Sequence, residues 1–256
     1  MHKSADPINS KSAKMNKHKT AIIFSALVFV LIAFGCNDGK TQTSSESETH
    51  EKMENNSLLN LTNENPGNFK WLNEPKSFNI ENGSINVLAE KGTDFFNNPE
   101  DSTLTSTAPF LYQEVSGDFV ATTLVRPDFS SMWNAVALMV HIDDNSWIKF
   151  AFENSDATGR SIVSVVTKGV SDDANGAILN DKDVIWLKLI RKANIYSMFW
   201  SLDGVDYKMS RLTSMPVADT IKVGLEFQSP VGKPAEHEVD YFQIKHTTVQ
   251  DLRKGE

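Results

Sequence analysis

The sequence is poor in cysteine: Cys36 is the only one among 256 residues, so the chain cannot form an internal disulfide. A fold without disulfides must be held by a hydrophobic core, and a globular part of about 175 residues is long enough to build one. The apolar run at residues 21–34 is shorter than the ~20 residues that a membrane-spanning helix requires. These features argue against a disulfide scaffold and against a helical membrane protein.

Signatures of common enzyme classes are also missing. The sequence has no Gly-x-Ser-x-Gly elbow, no glycine-rich phosphate loop and no His-Glu-x-x-His zinc motif. His141, His237 and His246 are too scattered to suggest a metal site, and we expect neither a metal nor a cofactor. The acidic turn at residues 143–145 has oxygen atoms that calcium would accept, but a solvated hairpin turn is the better interpretation.

Residues 1–35 have the features of an export signal. Three lysines precede the apolar run, and small residues lie near Cys36. This is the pattern of a bacterial lipoprotein signal, in which the cysteine is lipidated and becomes the new N-terminus. A plain signal peptide cut near Gly35 is the alternative, because Phe34 departs from the usual small residue, and translation could begin at Met15.

Lipidation at Cys36 would anchor the protein to a membrane of the bacterial cell envelope, on a leaflet that the sequence does not specify. Without residues 1–35 the chain has 20 basic and 32 acidic residues, a formal charge of −12. Such a surface repels nucleic acid and anionic headgroups, and no basic stripe offsets it. We therefore expect membrane contact through the lipid and no nucleic-acid partner.

Residues 36–67 are predicted to form the lipidated N-terminus and a disordered linker. Residues 41–56 have hardly any apolar side chain, too little hydrophobic surface to offset the entropy of ordering. The apolar stretch at residues 58–61 is interpreted as part of this linker rather than as an interaction segment. At the other end, residues 249–256 are predicted to be a polar tail.

Residues 68–248 alternate between short apolar runs and turns. Strands are predicted at residues 84–89, 118–126, 135–142, 147–153, 161–167, 184–191, 195–202, 221–228 and 239–245. Asn82-Gly83 and Asp203-Gly204 are among the turn signals between them. Because no segment keeps a helical period, we predict an all-β fold, a single antiparallel β-sandwich or jelly roll.

The strand at residues 147–153 divides its side chains between two faces. Alternation directs Ile148, Phe150 and Phe152 to the core and places a ring, a cation and a carboxylate on the opposite face: Trp147, Lys149 and Glu153. Such a row suits a groove for a polar ligand, although a plain solvated face has the same pattern.

Six motifs occur in an order that is typical of one domain family: Thr93-Asp94-Phe95-Phe96; residues 146–153; residues 164–167 with Ser171-Asp172; residues 186–191; Leu202-Asp203-Gly204 with Arg211; and Val223-Gly224-Leu225 with Ser229-Pro230. On these residues the chain resembles a bacterial and fungal family described as similar to the regulation-of-enolase protein, in the concanavalin A-like lectin/glucanase superfamily. The resemblance covers residues 70–246 and implies a curved two-sheet jelly roll, but no known reaction.

The resemblance makes the polar face a candidate carbohydrate site. A ring such as Trp147 or Trp200 would stack on a sugar while charged side chains bind its hydroxyls. Arg191 has a second interpretation, as an ion pair with Glu153 or Glu226. The candidate ligand-binding residues are Asp94, Trp147, Lys149, Glu153, Ser171, Asp172, Arg191 and Glu226.

The sequence departs from the family pattern at four places, which lowers the expected stacking of rings on a sugar or the polarity of the site. Phe96 and Tyr207 stand where tryptophan is common, Asp173 stands where an aromatic residue is frequent, and residues 135–137 replace a more polar stretch that contains glycine.

A catalytic role needs a pair of carboxylates. The Glu-x-Asp-x-x-Glu strand motif of the superfamily's retaining glucanases is absent. Glu236, Glu238 and Asp240 alternate onto one face, but a solvated acidic strand edge explains them better than catalysis. We therefore expect a non-catalytic, glycan-binding domain. The alternatives are a glycoside hydrolase of the same fold and a structural or protein-interaction lipoprotein whose partner is another envelope protein.

Overall fold

Residues 55–256, the part of the chain that the computed structural model describes, contain sixteen β-strands and no α-helix. The strands are β1 (Lys70–Leu72), β2 (Phe78–Glu81), β3 (Ser84–Ala89), β4 (Phe95–Asn97), β5 (Leu104–Ser106), β6 (Phe110–Ser116), β7 (Phe119–Arg126), β8 (Ala135–Asp143), β9 (Ser146–Ser155), β10 (Gly159–Lys168), β11 (Val170–Ile178), β12 (Ile185–Lys192), β13 (Ile195–Ser201), β14 (Lys208–Ser214), β15 (Thr220–Gln228) and β16 (Ala235–His246). The predicted signal peptide, Cys36 and most of the predicted linker lie outside the described residues. Among those residues, none forms a helix with the length and apolarity needed to cross a bilayer.

The strands form two seven-stranded antiparallel sheets and one small hairpin. Sheet 1 has the order β1-β6-β15-β8-β9-β10-β11, and sheet 2 has the order β14-β13-β12-β7-β16-β3-β2. The hairpin pairs β4 with β5. The predicted all-β, two-sheet sandwich is confirmed, and every one of the nine predicted strands corresponds to an observed strand.

One large core fills the space between the inner faces of the two sheets. Ile148, Phe150 and Phe152 of β9 are fully buried in it, as the alternation predicts. From sheet 2, Leu187 and Phe242 enter the same core. Each such side chain stabilises the fold by about 1.5–3 kcal/mol through burial, so this core replaces the disulfides that the chain cannot form.

The chain joins the sandwich earlier than predicted. Leu58 is fully buried and Leu61 is 9% exposed, and both belong to the main core. Asn56 Oδ1 accepts hydrogen bonds from the backbone N–H groups of Leu58 and Phe242, each at 3.1 Å. The prediction that the linker extends to residue 67 is therefore wrong, because these residues bury enough apolar surface and satisfy enough backbone groups to remain ordered.

The predicted polar tail also packs on the domain. Val249 is 7% exposed and contacts Ile190 and Phe199 on the outer face of sheet 2. A single apolar side chain can thus hold a mostly polar terminus against the domain. The predicted polar tail is therefore held to sheet 2 at Val249.

The acidic residues of β16 do not lie at a sheet edge. β16 pairs with β7 on one side and β3 on the other, so it is an interior strand of sheet 2. Glu238 and Asp240 contact Arg126 at 3.2 and 3.4 Å on the solvent side. The edge interpretation is wrong, and the pairing with Arg126 accounts for two of the three acids.

Candidate functional site

The outer face of sheet 1 has room at its centre because neighbouring strands carry small side chains there. Ala137 on β8 lies opposite Ala151 on β9. Ala135 lies between Glu153 on β9 and Gln228 on β15. The stretch that departs from the family pattern therefore opens space over which longer side chains extend.

The hairpin of β4 and β5 covers part of this face. Phe95 is fully buried and packs on the outer-face residues Phe110 and Trp147, with ring centroids 6.4 and 6.1 Å away. The Asn97 side chain donates hydrogen bonds of 3.0 Å to the carbonyls of Asp144 and Gly169. The hairpin is thereby tied to the turns at one end of sheet 1.

The tryptophans expected to stack on a sugar are both covered. Trp147 is 1% exposed beneath Phe95, and Trp200 is 8% exposed within the main core. Trp147 does lie on the predicted face, but the hairpin adds a second apolar layer over that face. Strand alternation cannot reveal such a layer, so the expectation of an exposed Trp147 ring is wrong.

Lys149 organises the centre of the face. Its side chain is buried, and Nζ donates hydrogen bonds to Asp94 Oδ1 at 2.8 Å, to the Phe95 carbonyl at 3.0 Å and to Gln228 Oε1. An ammonium group has three hydrogens to donate, and these three bonds use them all. Lys149 therefore fixes its neighbours in place rather than offering a donor to a ligand.

Gln228 links Lys149 to the far side of the site. Its Nε2 donates to the Trp133 carbonyl at 2.7 Å and to Glu153 Oε2 at 3.4 Å. Trp133 has a φ of +63°, a left-handed backbone conformation that is uncommon for a residue other than glycine and costs about 1–3 kcal/mol. Its N–H donates to the Asn154 carbonyl at 2.7 Å, so both of its backbone polar groups are held.

His237 connects this arrangement to sheet 2. The ring is fully buried; Nδ1 accepts from the Asp128 N–H at 3.1 Å, and Nε2 lies 3.0 Å from the Gln228 carbonyl. The first bond requires an unprotonated Nδ1, so Nε2 carries the proton. Burial lowers the pKa of His237 to about 4, which keeps the ring neutral at pH 7. The loop containing Trp133 and the strand containing Gln228 are thus joined by a neutral histidine.

These elements enclose a cavity of about 220 Å³. Its aromatic walls are Phe96 and Trp133, both half-buried. Its remaining lining residues are Asp94, Lys149, Glu153, Asp156, Val165, Asp173 and Gln228. The cavity thus offers a small ligand both aromatic surface and several carboxyl groups.

Burial changes the ionisation of the acids around Lys149. It raises the pKa of Glu153 to about 8, against the opposing effect of the Lys149 charge. Burial also raises the pKa of Asp173, which lies at the rim. For Lys149, burial alone would lower the pKa, but the charges of Asp94, Glu226 and Glu153 outweigh it and raise the pKa above its ordinary value. At neutral pH the site therefore contains a charged lysine and a largely protonated Glu153.

Glu226 is buried and does not line the cavity. It is fully buried on β15, and within the described chain neither carboxylate oxygen has a hydrogen-bond partner. Burial raises the pKa of Glu226 to about 8, with the Lys149 charge opposing this shift. The structure thus places Glu226 near Lys149 but away from the space that a ligand would enter.

Two further predicted residues have structural contacts. Ser171 Oγ accepts a hydrogen bond from the Asn97 N–H at 2.9 Å and lies 2.9 Å from Thr167 Oγ1, so it fastens the hairpin to β11. Asp172 points away from the cavity and pairs with Arg211 of β14 at 2.6 Å. Neither lines the cavity.

Arg191 does not belong to the site. It lies on β12 in sheet 2, where Nε donates to the Ala193 carbonyl at 2.8 Å and Nη2 donates to the Ala218 carbonyl. Arg191 therefore forms no ion pair with Glu153 or Glu226, and it cannot contact a ligand beside them. Arg191 and those acids belong to different sheets, which a sequence pattern cannot distinguish.

Sequence reasoning found three cavity residues and missed several others. Asp94, Lys149 and Glu153 were predicted and do lie together. Phe96 and Asp173 were noted only as departures from the family pattern, and that departure was the available signal. Trp133, Asp156 and Gln228 lie in or beside turns, and no local pattern singles them out.

Three other features of the described chain are weaker candidates for a site. In residues 55–256 no group of three or more histidine, cysteine or acidic side chains is arranged to hold a metal ion. The turn at residues 143–145 closes the β8–β9 hairpin, with Asp143 Oδ1 accepting from the Asn145 N–H at 2.9 Å. A larger groove of about 600 Å³ on sheet 2, lined in part by Tyr207 and Tyr241, contains no carboxyl group. The smaller cavity, which is lined by carboxyl groups, is therefore the better candidate for a binding site.

Solved structures with the same architecture include proteins from yeast and bacteria. A functionally unknown protein from Saccharomyces cerevisiae superposes with a TM-score of 0.68 at 24% identity, covering 72% of this chain and 99% of that chain. The GH43 protein BlXynB from Bacillus licheniformis superposes with a TM-score of 0.54 at 12% identity, covering 69% of this chain and 36% of that chain. At these identities the likeness concerns the fold alone.

A sequence relative is "Regulation of enolase protein 1" of Saccharomyces cerevisiae, 29% identical over 154 residues, which are 60% of this chain and 77% of the yeast protein. Residues 71–247, most of the sandwich and more than half of the whole chain, match the family described as "Protein of unknown function (DUF1349)". The chain therefore belongs to the DUF1349 family.

Proposed function

We propose that the protein is a lipid-anchored, non-catalytic domain that binds a glycan, with one sugar residue held in the cavity beside Glu153. The observation that carries this proposal is a nearly buried acid, 7% exposed, in a cavity walled by Phe96 and Trp133. The volume of about 220 Å³ is below the roughly 300–1,000 Å³ typical of sites for drug-sized ligands, which suits a single sugar ring.

The chemistry of the lining supports a polyhydroxylated ligand. Aromatic rings offer apolar surface to the C–H face of a pyranose, and carboxyl groups accept hydrogen bonds from its hydroxyls. Lys149 and Gln228 hold Asp94 and Glu153 in place, so the acceptors are positioned before a ligand arrives. Such preorganisation lowers the entropic cost of binding.

A glycan-array screen on residues 37–256 tests this proposal, since that fragment keeps every element of both sheets and their core. Asp173→Asn and Glu153→Gln should each weaken binding of the recognised glycan by roughly three- to tenfold, the effect of losing one hydrogen bond. Asp172→Asn is the matched control. The Asp172 carboxylate neighbours Asp173 but lies on the opposite face of β11, so this substitution should leave binding unchanged. Absence of binding to every glycan would contradict the proposal and favour an envelope-protein partner.

The anchor is a separate part of the proposal. Cys36 follows a signal-like segment, and attachment of several acyl chains there would hold the domain on the cell envelope. Expression in a bacterium with radiolabelled palmitate should label the full chain in the membrane fraction. Cys36→Ser should abolish both the label and the membrane association; a labelled serine variant would contradict lipidation at Cys36.

A glycoside hydrolase is the second candidate, favoured by one observation. A protonated Glu153 shares the cavity with the carboxyl groups of Asp94 and Asp173, and pairs of acids with different ionisation act as acid and nucleophile or base in such enzymes. Reducing ends released from a bound glycan, and no release by Glu153→Gln, would replace the non-catalytic proposal with this one.

A further inference from the structure

The cavity has many more acceptors than donors. Four carboxyl groups line it: those of Asp94, Glu153, Asp156 and Asp173. Lys149 is the single basic side chain in the lining. The formal charge of the lining is therefore negative even when Glu153 is protonated.

The lining donors are already used. All three Lys149 hydrogens bond to protein oxygens, and both Gln228 amide hydrogens bond to Trp133 and Glu153. Among the lining side chains of the described chain, this leaves the Trp133 indole N–H and the acid proton of Glu153 as donors. A ligand rich in acceptors, such as a phosphate or a carboxylate, would meet repulsion and few hydrogen bonds.

Glu153 points to what the cavity accepts. It is more than nine-tenths buried, and within residues 55–256 the only hydrogen bond of its carboxyl group is the 3.4 Å contact from Gln228 to Oε2. Oε1 is thus left for a ligand, and a cation bound beside it would favour the ionised carboxylate, in which Oε1 accepts hydrogen bonds. A bare divalent cation is disfavoured, because it needs several converging ligands and the described chain has no such group.

We propose that the sugar held in the cavity carries an ammonium group, as in a 2-amino-2-deoxyhexose residue with a free amine. The ammonium brings three donors and a positive charge to a lining that offers carboxyl oxygens. Phe96 and Trp133 add attraction, since aromatic faces stabilise cations within about 6 Å. This inference rests on the proposed carbohydrate function and specifies its ligand class.

Three trisaccharides with the same β-1,4 backbone test the inference. They are the glucosamine trimer, the N-acetylglucosamine trimer and cellotriose, which differ at carbon 2 in carrying an amine, an acetamide or a hydroxyl. Titration calorimetry on residues 37–256 at 0.15 M salt should give at least roughly tenfold tighter binding of the glucosamine trimer than of cellotriose, the gain expected from one hydrogen bond between charged groups. Moderate salt limits non-specific attraction to the acidic surface.

Matched variants separate the cavity from the general surface charge. Asp173→Asn should reduce the preference for the amine severalfold, while Asp172→Asn, which removes the same charge from the opposite face, should preserve it. Equal loss in both variants would overturn the inference, because attraction would then come from net charge alone.

The outcomes also separate this inference from the proposed function. Equal binding of all three trisaccharides would overturn the ammonium preference and leave carbohydrate binding standing. Binding of choline as tightly as glucosamine, lost in Asp173→Asn, would overturn carbohydrate recognition itself. Failure of all three to bind would overturn the ammonium inference, and the glycan array would then decide whether another sugar is recognised.

Discussion

Replacing Lys149 by methionine should destabilise the domain strongly, although methionine is similar in length and more apolar. The lysine is 2% exposed, so solvent does not screen its interactions. The change removes three hydrogen bonds from a charged donor, each contributing about 1.5–3 kcal/mol, or roughly 4.5–9 kcal/mol together. Burying an ammonium costs several kcal/mol, which the variant recovers. The net loss should be about 3–5 kcal/mol, as is typical when one member of a buried pair is removed.

Urea unfolding followed by tryptophan fluorescence measures this loss at pH 7. For a domain of about 200 residues, the same loss lowers the melting temperature by roughly 6–20 °C. Lys182→Met is the matched control, because Lys182 pairs with Asp181 at the exposed surface and should change stability by less than about 0.5 kcal/mol.

A double-mutant cycle with Asp94→Asn tests the cause. If the ion pair carries the effect, the two changes together should cost less than their sum, by about 1–3 kcal/mol. A loss below about 1 kcal/mol for Lys149→Met, or strictly additive changes, would refute the view that Lys149 organises the site.

Three other substitutions follow from the packing and ionisation described above. Glu226→Gln should stabilise the domain at pH 8 and have little effect near pH 4.5: the folded pKa of about 8 lies above the ordinary 4.5, so the contribution of the protonated acid is lost as pH rises between these values. Urea midpoints across this range check the sign, and a pH-independent difference would contradict it. Leu58→Ala should cost about 2–5 kcal/mol in the same assay, whereas a neutral result would place residues 56–61 back in a linker. Gly224→Ala should cost at least about 3 kcal/mol by thermal melting, because a Cβ there would lie 1.8 Å from the Leu111 carbonyl oxygen, and an unchanged melting temperature would show that β15 and β6 can separate at little cost.

The strands that sequence reasoning identified are those with regular apolar alternation. It missed β11 and β14, which are edge strands with mostly exposed side chains and therefore little hydrophobic pattern. It also missed β1, β2, β4 and β5, because strands of three or four residues are too short to show a period, and β6, whose burial does not alternate regularly. The fold class could be predicted without these strands, but the β4–β5 hairpin that covers part of sheet 1 could not.

Only the part of the candidate site that lies on a single strand could be predicted from the sequence. Lys149 and Glu153 share β9, so alternation alone places them on one face. Their partners Asp94 and Gln228 are 55 and 79 residues away from Lys149 in the chain. Such pairings depend on strand order, and Arg191 was misplaced for the same reason, because it has a suitable charge on the wrong sheet.

The saturated hydrogen bonding of Lys149 restricts how this site can change during evolution. Loss of Asp94 or Gln228 alone would leave a buried ammonium short of an acceptor, and loss of Lys149 alone would leave buried oxygens without a donor. Single substitutions at these positions therefore pass through a destabilised intermediate. We expect homologous proteins to retain the three residues as a set or to have replaced all of them, so joint variation at positions 94, 149 and 228 is a marker of this site.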